Sequence, residues 1–337
     1  MKIRAIAGIA AAAIVISAVA ALSVGAKTSD QNKIRVVFFP NISHAVPIVG
    51  IENGIFADSV GVPIETRIVD SGPQAIEALF ANSADLAYVG PSPFVNGYVK
   101  SEGEGIVLLS GAADNGVSLV VQQDSGILSV PDLDGKKIAA PSIGNTQDVS
   151  LRHYLAEYGL APKEKGGSVT VYNIANSEIY TLFAKGDIDA AWVPEPTTTM
   201  LVDKLGAKRL LNEESLWEKK QFPSVLLVAR KDFAQKHPEI ISKWVDANQK
   251  SIDWINKNPD KTEQIFIDFY KSYTGKNIDK KIIHDSISNI SFSSDPDVPA
   301  IKTFALRAYE LGYLGREKFD FDISYNATNN EVAQWQN

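Results

Sequence analysis

The residues able to do chemistry gather in four short polar stretches: Ser43-His44, Ser92, Asn145-Thr146-Gln147 and Glu195. Each follows an apolar run that reads as a strand and precedes a helical pattern. In open α/β sheets that is where ligands sit. Ser92 lies in Gly90-Pro91-Ser92-Pro93. Pro91 has no N–H to lose in a first helical turn, and Ser92 places a hydroxyl among free N–H groups. Together they make an anion seat that needs no cation. Ser43, and Asn145 or Thr146, are placed to cap the helices that follow them. Glu195 stands between Pro194 and Pro196 and has two readings. It complements a helix dipole, worth about 0.3–1 kcal/mol, or it accepts an amine or polarised donor of a ligand. Tyr88, Phe94 and Trp192 are candidate cleft walls, with core packing the alternative for Tyr88 and Trp192 inside strands. Arg152 either pairs with an acid or stays solvated.

The elements that must hold these stretches come in two similar copies. Asp70–Pro93 reads as a helix with an apolar stripe (Ala75, Ile76, Leu79, Phe80), a short buried strand Asp85–Val89, and the Gly-Pro-Ser-Pro turn. Asn176–Pro196 repeats the layout: helix, strand, then Pro-Glu-Pro. Leu79-Phe80-Ala81 matches Leu182-Phe183-Ala184, and Asp85-x-Ala87-x-Val89 matches Asp189-x-Ala191-x-Val193. Two copies so far apart imply two similar α/β halves rather than a solenoid. Other strands are expected at Ile34–Phe39, Val62–Val69, Gly105–Ser110, Ser118–Gln122, Ile138–Ala140, Val169–Ile174, Lys208–Leu211 and Phe222–Ala229. A helix is expected over Val149–Tyr158. From Pro238 onward the pattern is helical, over Ile240–Asn256, Pro259–Tyr273, Asp279–Ser288 and Pro299–Gly312. Strands alternating with helices predict α/β halves with parallel, doubly wound sheets and a helical C-terminal part.

Composition narrows the function. The chain has 337 residues, 45% of them hydrophobic, enough for one large or two medium domains. Its net charge of −7 and the lack of any basic block past the amino terminus argue against nucleic acid as partner. There is no cysteine, which removes disulfides, thiolate chemistry and a lipid-modified cysteine anchor. The histidines, His44, His153, His237 and His284, have no metal-ligand spacing. No metal or other cofactor is expected. No Gly-x-Ser-x-Gly elbow, P-loop or dinucleotide turn occurs, so catalysis finds no motif. Met1–Ala26 opens with Lys2 and Arg4, then runs uncharged to Val24-Gly25-Ala26. It reads as a cleavable export signal or a retained membrane anchor, and either places the rest outside the cytoplasm.

The stretches SGPQAIEALFANSADLAYVGPSP, DLDGKKIAAPSIGNTQDVSLRHYLAEYGL and DAAWVPEP, in that order, resemble the solute-binding proteins of ABC importers of the sulfonate, taurine and nitrate type. The resemblance runs from Ile34 to about Gly315. It implies the type II periplasmic-binding-protein fold, two α/β lobes joined by two crossing strands with the solute between them. Lobe one is then 34–122 plus 222–337, and lobe two 123–221. Carried over, Ser43, Ser92, Asn145 and Thr146 hold the oxyanion, and Glu195 faces the rest of the solute. The implied function is capture of a small anion, with sulfonate or taurine first and nitrate, bicarbonate or a thiamine-pyrimidine precursor as alternatives. Partners are the solute and the transmembrane subunits of an ABC permease, with membrane contact only through the amino-terminal segment or that permease. A thiamine-pyrimidine synthase-like enzyme is the runner-up, but it needs a cysteine-rich motif. A transcription regulator would need an amino-terminal DNA-binding helix-turn-helix that Met1–Ala26 cannot form.

Overall fold

A computed structural model describes residues 33–315. The expected targeting segment, residues 1–26, lies outside these residues. Along the chain come β1 (Ile34–Phe38), α1 (Ala45–Glu52), α2 (Ile55–Val60), β2 (Ile64–Ile68), α3 (Gly72–Phe80), β3 (Leu86–Val89) and α4 (Pro91–Lys100). Then follow β4 (Ile106–Asn115), β5 (Val117–Val121), β6 (Lys137–Ala140), α5 (Thr146–Glu157), β7 (Thr170–Asn173), α6 (Asn176–Ala184), β8 (Ala190–Pro194), α7 (Thr197–Leu205) and β9 (Lys208–Asn212). The last third is β10 (Pro223–Arg230), α8 (Lys231–Lys236), α9 (Pro238–Lys257), α10 (Pro259–Thr274), α11 (Lys280–Ile287), β11 (Ile290–Ser291) and α12 (Val298–Glu310).

The strands form two sheets, β11-β4-β10-β3-β1-β2 and β7-β6-β8-β5-β9. Each contains a parallel triplet, β2-β1-β3 in the first and β7-β6-β8 in the second. The repeated aspartates explain why the triplets match. Asp85 donates its N–H to the Arg35 carbonyl (2.8 Å) and accepts the Arg35 N–H on Oδ2 (2.9 Å). Asp189 does the same with Lys137, at 2.8 Å for both bonds. Each carboxylate therefore closes the N-terminal end of the strand pair where the ladder would leave a free donor. Asp85 also binds the Arg35 guanidinium at 2.6 Å.

The expectation of parallel sheets needs correction, because both sheets are mixed. β10 runs antiparallel to β3 and β4, and β5 runs antiparallel to β8 and β9. Each of these strands enters its sheet from the other one: β5 follows β4 through Asn115-Gly116, whose φ values are 67° and 72°, and β10 follows β9. β4 ends in the first sheet and β5 starts at once in the second. A second crossing follows β9, and β10 returns to the first sheet. The chain thus changes sheet at residue 116, upstream of the expected boundary at 122/123. The two crossings are tied together: Asn115 N–H donates to the Phe222 carbonyl (2.7 Å), and Phe222 N–H to Asn115 Oδ1 (3.0 Å).

The helical C-terminal part covers the first sheet. In α9, Ile241, Trp244, Ala247, Ser251, Ile252 and Ile255 recur at helical spacing and are buried. Trp244 stacks on Phe56 of α2 at 4.4 Å. Asn248, on the same face, is fully buried but accepts from the Tyr88 hydroxyl (2.9 Å) and donates to the Gly111 carbonyl (3.0 Å). Full pairing is what makes a core asparagine tolerable. α12 adds Phe304, stacked on Trp217 at 5.4 Å.

Candidate functional site

The carboxyl ends of both parallel triplets open on a cavity of about 280 Å³. Ser43, His44, Asn145, Thr146 and Gln147 all line it; Ser92 and Glu195 do not. These seven expected residues therefore divide into cavity-lining groups and internal fasteners.

After β1 the chain passes Phe39-Pro40-Asn41 into a 3-10 turn, Ile42–His44, that leads into α1. Ser43 does not cap α1, since it sits inside the turn and its buried Oγ has no hydrogen-bond partner. His44 packs its ring on Phe39 at 4.4 Å, and its Nδ1 accepts the Phe39 N–H at 3.4 Å. That contact leaves the ring proton on Nε2. Burial pushes the imidazole pKa down to about 3, so His44 is a neutral donor at physiological pH.

The loop before α5 belongs to the second sheet but reaches helix starts of the first. Asn145 Oδ1 accepts the Gly72 N–H of α3 at 3.1 Å, and Thr146 Oγ1 accepts the Ser92 N–H of α4 at 3.4 Å. A Cβ on Gly90 would lie 2.3 Å from Thr146 Oγ1, so only glycine admits this approach. Ser92 itself is fully buried, and its hydroxyl donates to the Gly144 carbonyl at 3.0 Å. The anion seat expected at Ser92 is thus filled by neighbouring side chains. The same helix-start donors that suit an anion also suit a side-chain oxygen. Asp148 fixes this loop by accepting from the Gly144 N–H, Arg152 Nε and Asn173 Nδ2. Arg152 accordingly pairs with acids, Asp148 and Glu164.

Glu195 is engaged within the protein. Its carboxylate is fully buried, accepting from Arg209 Nη2 at 2.8 Å, Asn289 Nδ2 at 2.9 Å and the Thr199 N–H of α7 at 3.0 Å. Of its two readings, the helix-capping one describes the geometry, strengthened by an ion pair. Tyr88, Phe94 and Trp192 are core residues, none of them on the cavity. Trp192 donates to Glu213 at 2.7 Å and stacks on Tyr154 at 5.4 Å.

The walls come instead from Phe39, Tyr180, Tyr270 and Tyr273, and Asp70, Asn41 and Asn176 add polar groups that sequence reasoning missed. Tyr270 and Tyr273 sit at the end of α10, where an i, i+3 aromatic pair near a helix terminus was the available signal. Asn41 Oδ1, Ser43 Oγ and Asn176 Oδ1 are all buried, and none has a partner among the described residues. A buried polar atom without a partner costs about 1–3 kcal/mol, so three around one cavity mark it as built for polar contacts. Among the described residues no Lys or Arg lines the cavity, and Asp70 is its one carboxylate. Among the described residues no cluster of three metal-ligating side chains occurs, and no helix is long and apolar enough to span a membrane.

Comparison with known proteins agrees with this architecture. The chain is 32% identical over 209 residues to the taurine-binding periplasmic protein of Escherichia coli strain K12, covering 61% of each. The alkanesulfonate-binding protein SsuA of Xanthomonas axonopodis pv. citri, bound to MOPS, superposes with a TM-score of 0.70 at 17% identity, over 84% of this chain and 92% of that one. The periplasmic nitrate-binding protein NrtA of Synechocystis PCC 6803 gives a TM-score of 0.71 at 16% identity, over 90% and 85%. At such identities the structural likenesses concern the fold, which is that of periplasmic binding proteins. Residues 27–267 match the model of the NMT1-like family, and the chain belongs to that family.

Proposed function

We propose that this chain is the extracytoplasmic receptor of an ABC importer, binding a sulfonate of the taurine or alkanesulfonate class between its two sheets and delivering it to a permease. The observation that carries the reading is the cavity at the strand ends, which no Lys or Arg lines among the described residues and which holds the buried, unpartnered hydroxyl of Ser43. A sulfonate offers three equivalent acceptor oxygens, and a protein hydroxyl, an amide turned to present its NH₂ and neutral imidazole can all donate to them. Neutral donors hold the anion without a buried cation that would itself need a partner. A taurine-binding relative supports the ligand class, and the segment 1–26 supports export. Nitrate fits less well. It is roughly one or two water molecules in size, whereas a cavity of about 280 Å³ with aromatic walls has room for a carbon chain.

Titration calorimetry of the purified protein against taurine, propane-1-sulfonate, nitrate and bicarbonate tests this. Binding of the sulfonates but not of nitrate or bicarbonate is expected. Saturable nitrate or bicarbonate binding with no response to either sulfonate would overturn the ligand class.

A further inference from the structure

We propose that Asp70 receives the ammonium group of the solute, so that the ligand is a zwitterion carrying an amine as well as a sulfonate. This rests on the sulfonate reading above and narrows it. Asp70 lies in the loop after β2 and before α3, beside the loop that follows β1, because those two strands are parallel neighbours. Its backbone is held by donation of its N–H to Gln74 Oε1 at 3.1 Å. Its carboxylate makes no hydrogen bond or ion pair among the described residues. Among the described residues no other carboxylate and no Lys or Arg lines the cavity to neutralise it.

Burial orders the cavity from inside to outside. Ser43 is 3% exposed, while Asp70 is exposed, so the unpartnered hydroxyl lies within and the free carboxylate at the solvent side. Aromatic faces accompany the carboxylate, since Phe39, Tyr270 and Tyr273 line the same cavity. The negative charge of Asp70 reaches Tyr273: burial first, and Asp70 second, raise the phenol above its ordinary pKa. A carboxylate with π faces nearby is a general solution for an alkylammonium. Glu195 cannot fill the role, because Arg209, Asn289 and the Thr199 N–H already occupy its oxygens. An acidic rim with no cation among the described residues would repel a plain anion and suits a solute that brings its own positive charge.

Calorimetry with taurine and propane-1-sulfonate, in which a methyl replaces the ammonium, isolates the contact. The wild-type protein should prefer taurine. Asp70→Asn should weaken taurine about tenfold, the scale of one charge-assisted contact at a partly solvated site, and leave propane-1-sulfonate unchanged or slightly tighter. Asp70→Glu should keep the preference for taurine. Equal weakening of both solutes by Asp70→Asn, or no effect on either, overturns the assignment while leaving the sulfonate reading intact. If the wild type binds neither solute, the sulfonate reading itself falls and this assignment falls with it.

Discussion

Ser43 concentrates the trade between stability and binding in one side chain. Its hydroxyl is buried and unpartnered, so Ser43→Ala removes a polar group that folding had to desolvate. The variant should be as stable as the wild type or more so, by up to about 1 kcal/mol, yet bind the sulfonate about ten- to hundredfold more weakly. Chemical denaturation and calorimetry on the same samples check both halves; a destabilised variant with unchanged affinity would show that Oγ serves the fold instead. Glu195 should behave in the opposite way. Glu195→Gln loosens the ion pair with Arg209, which is 26% exposed on its side chain, and should cost roughly 1–3 kcal/mol of stability. It should not discriminate between taurine and propane-1-sulfonate, which the same pair of measurements reads. The site was legible in sequence only as far as residue type at strand ends goes. Ser43, His44, Asn145, Thr146 and Gln147 carry that signature and line the cavity. Ser92 and Glu195 have the same signature but serve as fasteners, because a helix-start hydroxyl or carboxylate binds neighbouring backbone as readily as a solute.

At the scale of elements, the matched aspartates do the same job in both sheets. Asp85→Ala should destabilise by about 3 kcal/mol, because it leaves the Arg35 N–H and the Arg35 guanidinium without their carboxylate and Arg230 with Asp232 alone. Asp189→Ala should cost less, about 1–2 kcal/mol, since it frees the Lys137 N–H at a partly exposed site. Urea unfolding of both variants gives the ranking, and the reverse order would contradict the account. These aspartates were readable as a repeat, which is why two similar halves were legible. Strand direction was not. β5 (Val117–Val121) is buried along its whole length and β10 almost so, and an apolar run buried on both faces carries no mark of which way it runs. Tyr270, Tyr273 and Asp70 were missed because the cavity draws on α10 and on the loop after β2, which no strand-end polar motif announced.

Among the described residues, burial shifts Glu213 and His44 in opposite senses. Burial pushes Glu213, which accepts from Ser150 and Trp192, up to about 7. A raised carboxyl contributes stability that is present below its unfolded pKa and lost as pH rises through its folded value. His44, pushed down to about 3, contributes stability that is present above pH 6.5 and lost as pH falls toward 3. The difference in stability between wild type and Glu213→Gln should therefore shift by about 2 kcal/mol in favour of the wild type from pH 8 to pH 5. Parallel stability curves across that range would contradict the burial assigned to Glu213. Binding should stay flat over the same window as far as His44 is concerned, since its imidazole remains neutral.

The sulfonate should be held by the neutral groups that the fold leaves unpartnered. A crystal structure of the protein with taurine tests it most directly. Sulfonate oxygens should lie within about 2.7–3.2 Å of Ser43 Oγ and of the Asn41 or Asn176 amide, with Ser92 and Glu195 still bound to their present partners. A sulfonate seated on the Ser92 N–H with Thr146 displaced, or held by Arg209 beside Glu195, would contradict it.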